Sequence, residues 1–383
     1  MMPAPARRYL DNAATSWPKP PAVLAAWEHA ARVVGATAGR AAYREAVEAD
    51  AIRGTARAAL ARLLGGVDPA RIALPAGCTL ALNQAIHGLV HPGDHVIASA
   101  ADHNASLRPL AELERRGVIR LSVVPCDGLG RVDPDAIGRA WRTGTRLVVC
   151  SHASNVTGAV QDVAAIAATA HARGGLLLLD AAQTFGQLSL SAATLGADLI
   201  AAPAHKWLLG TGGLGMLWAR PGVEPASFIQ GGTGSGSDSL EMPSTFAERH
   251  EAGTPDVPAL AAVAAAVAWL EAGGTAAIAA RCRGLAAAAA IRLREQRGVR
   301  VYAAEGGPPI VSFVVEGYDP AEVAAILEQA SGLQVRAGFH CAALVHGPLG
   351  TAAGGTVRAS FGPFNTDDDV AALVEAVAML AGG

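Results

Sequence analysis

The stretch IAAPAHKWLLGTGGLG, Ile200 to Gly215, admits two readings that lead to two different folds. Gly210, Gly212 and Gly215 satisfy G-x-G-x-x-G, which marks a dinucleotide-binding turn only where a strand precedes it and a helix opens on its glycines. Here the glycines follow a histidine and a lysine and lead into MLWAR and Pro221, a strand pattern, so the nucleotide reading is rejected. The glycines are expected to allow a turn and close backbone approach. The other reading rests on Lys206. Of 30 Lys and Arg residues only two are lysines, Lys206 and Lys19, the latter set between prolines in SWPKPP with no comparable surroundings. A guanidinium stays protonated, whereas a partly buried amine can lose its proton and attack a carbonyl. Base composition alone also explains a stray lysine in an Arg- and Ala-rich chain, and position 206 by itself leaves the two explanations balanced.

Outward from this stretch, residues 70–220 alternate short β-rich runs with Ala-rich helical ones. Strands are predicted at 71–75, 95–99, 119–124, 146–151, 175–180, 198–202 and 215–220, with helices such as 79–90 and 162–174 between them. Several strand runs are apolar throughout, as in a parallel sheet covered on both faces. The order predicts an α/β fold with an open, mostly parallel seven-stranded sheet. After residue 257 the pattern changes to two long Ala-rich helices (257–272 and 275–297), strands at 309–317 and 356–362, and helices at 319–331 and 366–381, a smaller α+β domain.

The 383 residues suit two domains at about 150 residues each. Apolar residues make up 51% and the net charge is −3 with scattered signs, so no basic stripe points to nucleic acid. The N-terminus lacks the apolar core of a secretory signal, and the longest apolar run, 257–270, is too short to span a bilayer. Five widely spaced cysteines without a CxxC predict reduced thiols and a cytoplasmic location.

In open α/β sheets ligands bind beyond the carboxyl ends of the strands. Five such ends carry chemistry: AGCT (76–79) opening a helix, His103, Asn155, Asp180 with Gln183, and His205–Lys206. Together they match what pyridoxal phosphate needs. An amine holds the aldehyde, a carboxylate faces the ring nitrogen, a flat side chain covers the ring, and a helix N-terminus takes the phosphate. Lys206, Asp180, His103 and Gly77–Thr79 fit those roles. Taken singly, Asp180 also reads as a helix cap, His103 as a loop residue and AGCT as an ordinary turn.

The segments YLDNAATSWPKP, HNASLRPL, SHASNVTG, LLLDAAQTFG, HKWLLGTGG, EAGTP and VRAGFHCA…GTVRASFGPFNT resemble, in order and over nearly the whole chain, the cysteine desulfurase and selenocysteine lyase branch of the class V, fold-type I pyridoxal-phosphate enzymes. The resemblance implies a homodimer. It also implies an N-terminal segment (1–16) near the active site that packs with the small domain, a large cofactor domain (17–256) and a small domain (257–383). It assigns Lys206 to the Schiff base and Asp180 to the ring nitrogen. Gln183 is assigned to the ring hydroxyl, and His103 to stacking and proton shuttling. The phosphate falls to Gly77, Cys78, Thr79 and His205, with Thr233 reaching the neighbouring subunit's phosphate. Asn155, Arg358, Arg336, Asn12 and Ala13 are implied around the substrate, Asn155 also near the cofactor. Two departures stand out: Pro203 where the family often has Ser or Thr, and Asp256 where EAGTP usually continues with Asn.

Cys341 follows Arg336 and His340, cations expected to lower a thiol pKa, and opens a Gly/Ala-rich loop. A lone cysteine is more often a small buried hydrophobe; in the resembled family this position forms the persulfide. An incomplete ligand set argues against a metal at His340, Cys341 and His346. The expected activity is conversion of L-cysteine to L-alanine, with the sulfur passed through Cys341 to an acceptor protein. The alternatives are a cysteine or cystine C–S lyase, a selenocysteine lyase, an aminotransferase or a cofactor-binding relay scaffold without turnover.

Overall fold

The computed structural model describes residues 6–39 and 41–382, so Met1–Pro5 of the expected N-terminal segment lie outside the described residues. In chain order the strands are β1 (Arg8–Tyr9), β2 (Ile72–Ala73), β3 (His95–Ser99), β4 (Arg120–Val124), β5 (Thr145–Ser151), β6 (Leu176–Asp180), β7 (Leu199–Pro203) and β8 (Gly215–Ala219). The C-terminal part adds β9 (Val299–Tyr302), β10 (Ile310–Val315), β11 (Leu333–Gln334), β12 (Arg336–Gly338) and β13 (Thr356–Ser360).

All seven strands predicted between residues 70 and 220 form one sheet, in the order β2-β8-β7-β6-β5-β3-β4. Only β8 runs against its neighbours. The apolar runs are central: β3, β7 and β8 are buried along their whole length, whereas edge strand β4 is only partly buried and keeps polar residues. Apolar side chains from both faces pack under helices, in one cluster around Ile97, Leu177 and Ile200 and another around Val96, Leu178 and Leu199. Each such side chain withdrawn from water contributes about 1.5–3 kcal/mol before entropy is counted. Strand order reverses between β3 and β5, so the turns after β3, β5, β6 and β7 open around one crevice.

The C-terminal domain is an antiparallel sheet, β12-β13-β10-β9, under helices that include Thr275–Arg294 and Asp367–Ala381. The N-terminal segment joins it: β1 pairs in parallel with β11, and Leu10 lies in the same apolar core. Helix Val257–Gly273, expected to open the small domain, packs instead on the large sheet's core through Leu260, Val263 and Val267. The chain then bends by 82° at Gly274 into the helix of the C-terminal core. We therefore propose Gly274, not residue 257, as the domain boundary. Among the described residues no single helix is long and apolar enough to cross a membrane.

Candidate active site

A cavity of ≈ 340 Å³ lies on the carboxyl edge of the large sheet, and the expected strand-end residues meet in its wall. Gly77, Cys78, Thr79, His103, Asn155, Asp180, Gln183, His205, Lys206 and Arg336 all line it, drawn from five strand ends and from β12.

At the floor stand Lys206 and Asp180. Burial pushes the Lys206 amine below its usual range, against the pull of the Asp180 carboxylate. Burial raises Asp180, opposed by the Ala182 N–H and by Lys206. Asp180 Oδ1 accepts from Ala182 N at 2.9 Å and from the Cys78 thiol at 3.9 Å, while Oδ2 has no partner among the described residues. An amine made easier to deprotonate and a carboxylate oxygen left free for an N–H donor are the two ends of a ring-binding site.

His103 caps the helix Asn104–Arg115: its Nδ1 accepts from Ala105 N at 3.0 Å, so the neutral ring carries its proton on Nε2. Burial, then the charge of Lys206, pushes its pKa down to about 4. Asp102, beneath it, accepts from Ser99 N at 2.7 Å and Ser151 N at 2.6 Å, tying the ends of β3 and β5 together. Gln183 is fixed by Trp207 Nε1, which donates to its Oε1 at 2.8 Å, and by its own donation to Ala13 O at 3.1 Å.

No side chain caps the helix Cys78–Leu89, and a Cβ on its N-cap, Gly77 (φ 99°), would meet nothing within 4 Å. The first N–H groups of this helix therefore face open space, ready for an anion. Gly215 decides whether that cradle can form: a Cβ there would lie 2.4 Å from the Gly77 carbonyl carbon and 2.7 Å from Cys78 N. Gly213 sits at φ 81°. Within this glycine run, Gly215 thus supplies the close approach and Gly213 the left-handed turn. Gly215→Ala is expected to destabilise the fold by about 1–3 kcal/mol, since backbone and not a flexible side chain must shift, and to weaken phosphate binding; thermal melts with and without cofactor check this.

Cys341 is the one exposed cysteine; burial pushes the other four thiols up, Cys126 and Cys282 to about 11. Its Sγ accepts from Arg336 Nη2 at 3.2 Å. His340 and Cys341 both adopt left-handed backbone (φ 51° and 60°), uncommon for non-glycine residues and a mark of a constrained functional turn. Cys341 O accepts from Asn104 N at 2.7 Å, which docks this loop beside His103. The second cation expected here is absent. His340 is buried and held neutral, with Nε2 on Thr356, so the cations by the sulfur are arginines, Arg336 in contact and Arg358 further behind.

Other expected contacts fall away from the cavity wall. Arg358 is fully buried in β13, donating to Asp11 Oδ1 at 2.8 Å and to Asn155 O at 2.9 Å, with Nε unpartnered. Asn12 spends its amide on Ser360 O, Asn365 Oδ1 and Trp17 N. Ala13 bonds Ser360 Oγ, and its neighbour Ala14 reaches the wall instead. Thr233 bonds within its own turn, to Ser235. Pro203 ends β7 opposite Gly215 and lines the cavity without a hydroxyl. Asp256 caps helix Val257–Gly273 by accepting from Ala259 N at 3.0 Å, a task Asp and Asn perform equally well.

Sequence reasoning missed Lys19. Far from lacking comparable surroundings, its ammonium donates at 2.8 Å to the carbonyl of His205, next to Lys206. The rarity of lysine in this chain was the signal that both were kept for one place. Asp11, partner of Arg358, was missed because only the fold brings residues so far apart in sequence together.

The free Asp180 oxygen, the uncapped helix and the low-pKa amine fit pyridoxal phosphate, and the fold is that of the fold-type I enzymes that use it. Within that class, the chain belongs to the aminotransferase class-V family, whose family model matches residues 8–373. It is 32% identical to a probable cysteine desulfurase of Methanothermobacter thermautotrophicus, over 98% of this chain and 94% of that one. It is 30% identical to the cysteine desulfurase CsdA of Escherichia coli, over 96% and 92%. Among solved structures, the apo cysteine desulfurase of Thermococcus onnurineus superposes with a TM-score of 0.87 at 28% identity, covering 98% of this chain and 94% of that one.

Proposed function

We propose that this chain is a pyridoxal-phosphate-dependent cysteine desulfurase that converts L-cysteine to L-alanine and holds the sulfur as a persulfide on Cys341. The observation that carries this reading is the pairing of Cys341, on a left-handed turn docked beside His103, with Arg336 of the cavity wall at 3.2 Å. An aminotransferase, which transfers nitrogen, has no step that calls for a thiol there.

Pyridoxal phosphate, when bound, supplies an aldehyde for amines and a ring that stabilises negative charge at Cα and, by conjugation, at Cβ. Lys206 would hold it and, as a free amine, would take the substrate's Cα proton on Nζ. Asp180 faces the ring nitrogen, Gln183 the ring hydroxyl, and His103 covers the ring with its Nε2 proton available. Gly77, Cys78, Thr79 and His205 hold the phosphate, with Thr233 of a second copy completing it in a homodimer. Arg336 draws the substrate carboxylate, and Arg358 braces the Asn155 turn and keeps a guanidinium in reserve behind it. At Cys341 the substrate Cβ–S bond breaks as an S–S bond forms. The electron pair left at Cβ takes a proton, and the proton held on Lys206 Nζ returns to Cα, giving alanine. A sulfur-acceptor protein then takes the outer sulfur, and the free thiols fit a cytoplasmic setting.

Product analysis tests the reading. Purified, cofactor-loaded protein given cysteine is expected to yield alanine and one persulfide per chain in a single turnover. Pyruvate with ammonia would assign it to the C–S lyases instead, and exclusive turnover of selenocysteine to the selenocysteine lyases.

A further inference from the structure

The chain's two lysines meet at a single peptide bond. Lys19 Nζ donates to His205 O at 2.8 Å and to Ser16 Oγ at 2.7 Å. The same carbonyl accepts from Ser16 N at 3.0 Å, Ser16 Oγ at 3.1 Å and Thr15 Oγ1 at 3.2 Å. Four donors thus converge on the carbonyl that joins His205 to Lys206, and only one of them is charged.

We propose that Lys19 is a positioning residue for Lys206: its ammonium holds the His205 carbonyl and so fixes the direction in which the Lys206 side chain leaves the turn after β7. This inference rests on the reading of Lys206 as the point of cofactor attachment.

Three observations support it. The turn that carries Lys206 is strained, with Leu209 at φ 62°, a conformation that persists only where the surroundings impose it. Its internal bonds, Leu209 N to Lys206 O at 3.0 Å and Gly210 N to Ala204 O at 2.9 Å, close the far side and leave the His205 carbonyl to be held from outside. Second, Lys19 is partly buried and forms no ion pair with a carboxylate among the described residues. Burial pushes its amine down to about 8, the mark of a cation kept where desolvation opposes it. An apolar side chain would cost the fold less at that place. Third, this is one of two basic positions out of 30 that are not arginine. From between Pro18 and Pro20, a point charge on a thin stem reaches the single carbonyl of His205, whereas the planar fork of arginine needs several acceptors in its plane. Asp180, Cys78, Arg358 and Arg336 act on the Lys206 amine through their charges, while the charge of Lys19 acts on His205, so its hold on Lys206 is geometric.

The test follows covalent attachment of pyridoxal phosphate to the full chain, trapped with borohydride and located by peptide mass, in wild type, Lys19→Met, Lys19→Gln and Lys19→Arg. Lys19→Met is expected to slow attachment at Lys206 about tenfold, the scale of one lost charge-assisted hydrogen bond. Lys19→Arg, which keeps the charge but not the fit to a single carbonyl, is expected to recover only part of the rate, and Lys19→Gln, a donor without charge, to recover less and to stand in if the methionine variant does not fold. Wild-type rates in Lys19→Met or Lys19→Gln overturn the proposal. So do losses that follow each variant's melting temperature and ignore which side chain can donate. Label found elsewhere than Lys206 in the wild type overturns the attachment reading itself.

Discussion

Lys206→Ala is expected to abolish covalent attachment of pyridoxal phosphate and to lower turnover of cysteine by about 10³-fold or more, because one side chain both holds the cofactor and moves the Cα proton. No other group can take over. Lys19 is the only other lysine, and its Nζ is committed to His205 O and Ser16 Oγ. His103 carries its free proton on Nε2 and, with a pKa near 4, is a weak base. Lys206→Arg is expected to fail equally, since a guanidinium does not give up its proton. Non-covalent binding of the phosphate should survive in both variants, because the helix beginning at Cys78 is untouched. Absorbance, borohydride trapping and steady-state rates measured on the same samples separate these effects. Attachment retained in Lys206→Ala would contradict the assignment.

Cys341→Ala is expected to leave cofactor binding and the melting temperature unchanged while lowering alanine and persulfide formation from cysteine by about 10³-fold, the order seen when a nucleophile is removed from its supporting site. Its sulfur contacts only Arg336, and the residue is exposed, so little packing is lost. Alanine fits the left-handed backbone no worse than cysteine does. The other four thiols cannot substitute. Burial raises all of them, and Cys78, the one inside the cavity, points its proton at Asp180. Cysteine-dependent alanine release, with mass detection of the persulfide on the Cys341 peptide, checks the outcome. Equal yields from mutant and wild type would remove the thiol from the reaction.

Much of this architecture was legible in the chain because it is written in local patterns. Seven short β-rich runs predict seven strands, several of them apolar throughout, since a parallel sheet covered on both faces has no alternation to preserve. The same runs place Lys206, Asp180, His103 and the helix at Cys78 on one rim, because strands that run the same way end on the same side. The proposed shift of the domain boundary to Gly274 has a related reason. The run 257–270 is apolar all round, and local pattern cannot tell which of two cores will bury it.

What the sequence determined by itself, then, was the set of strand ends and the chemistry carried on each. Tertiary structure decided which of those groups face the cavity and what holds them there. It turned Arg336 to the wall and sank Arg358 against Asp11, neutralised His340 by burial, and pressed Gly215 against Gly77. It also brought Lys19 to the peptide of Lys206. Each of these depends on contacts between residues far apart in the chain and on the water those contacts exclude, and neither is encoded in any single segment.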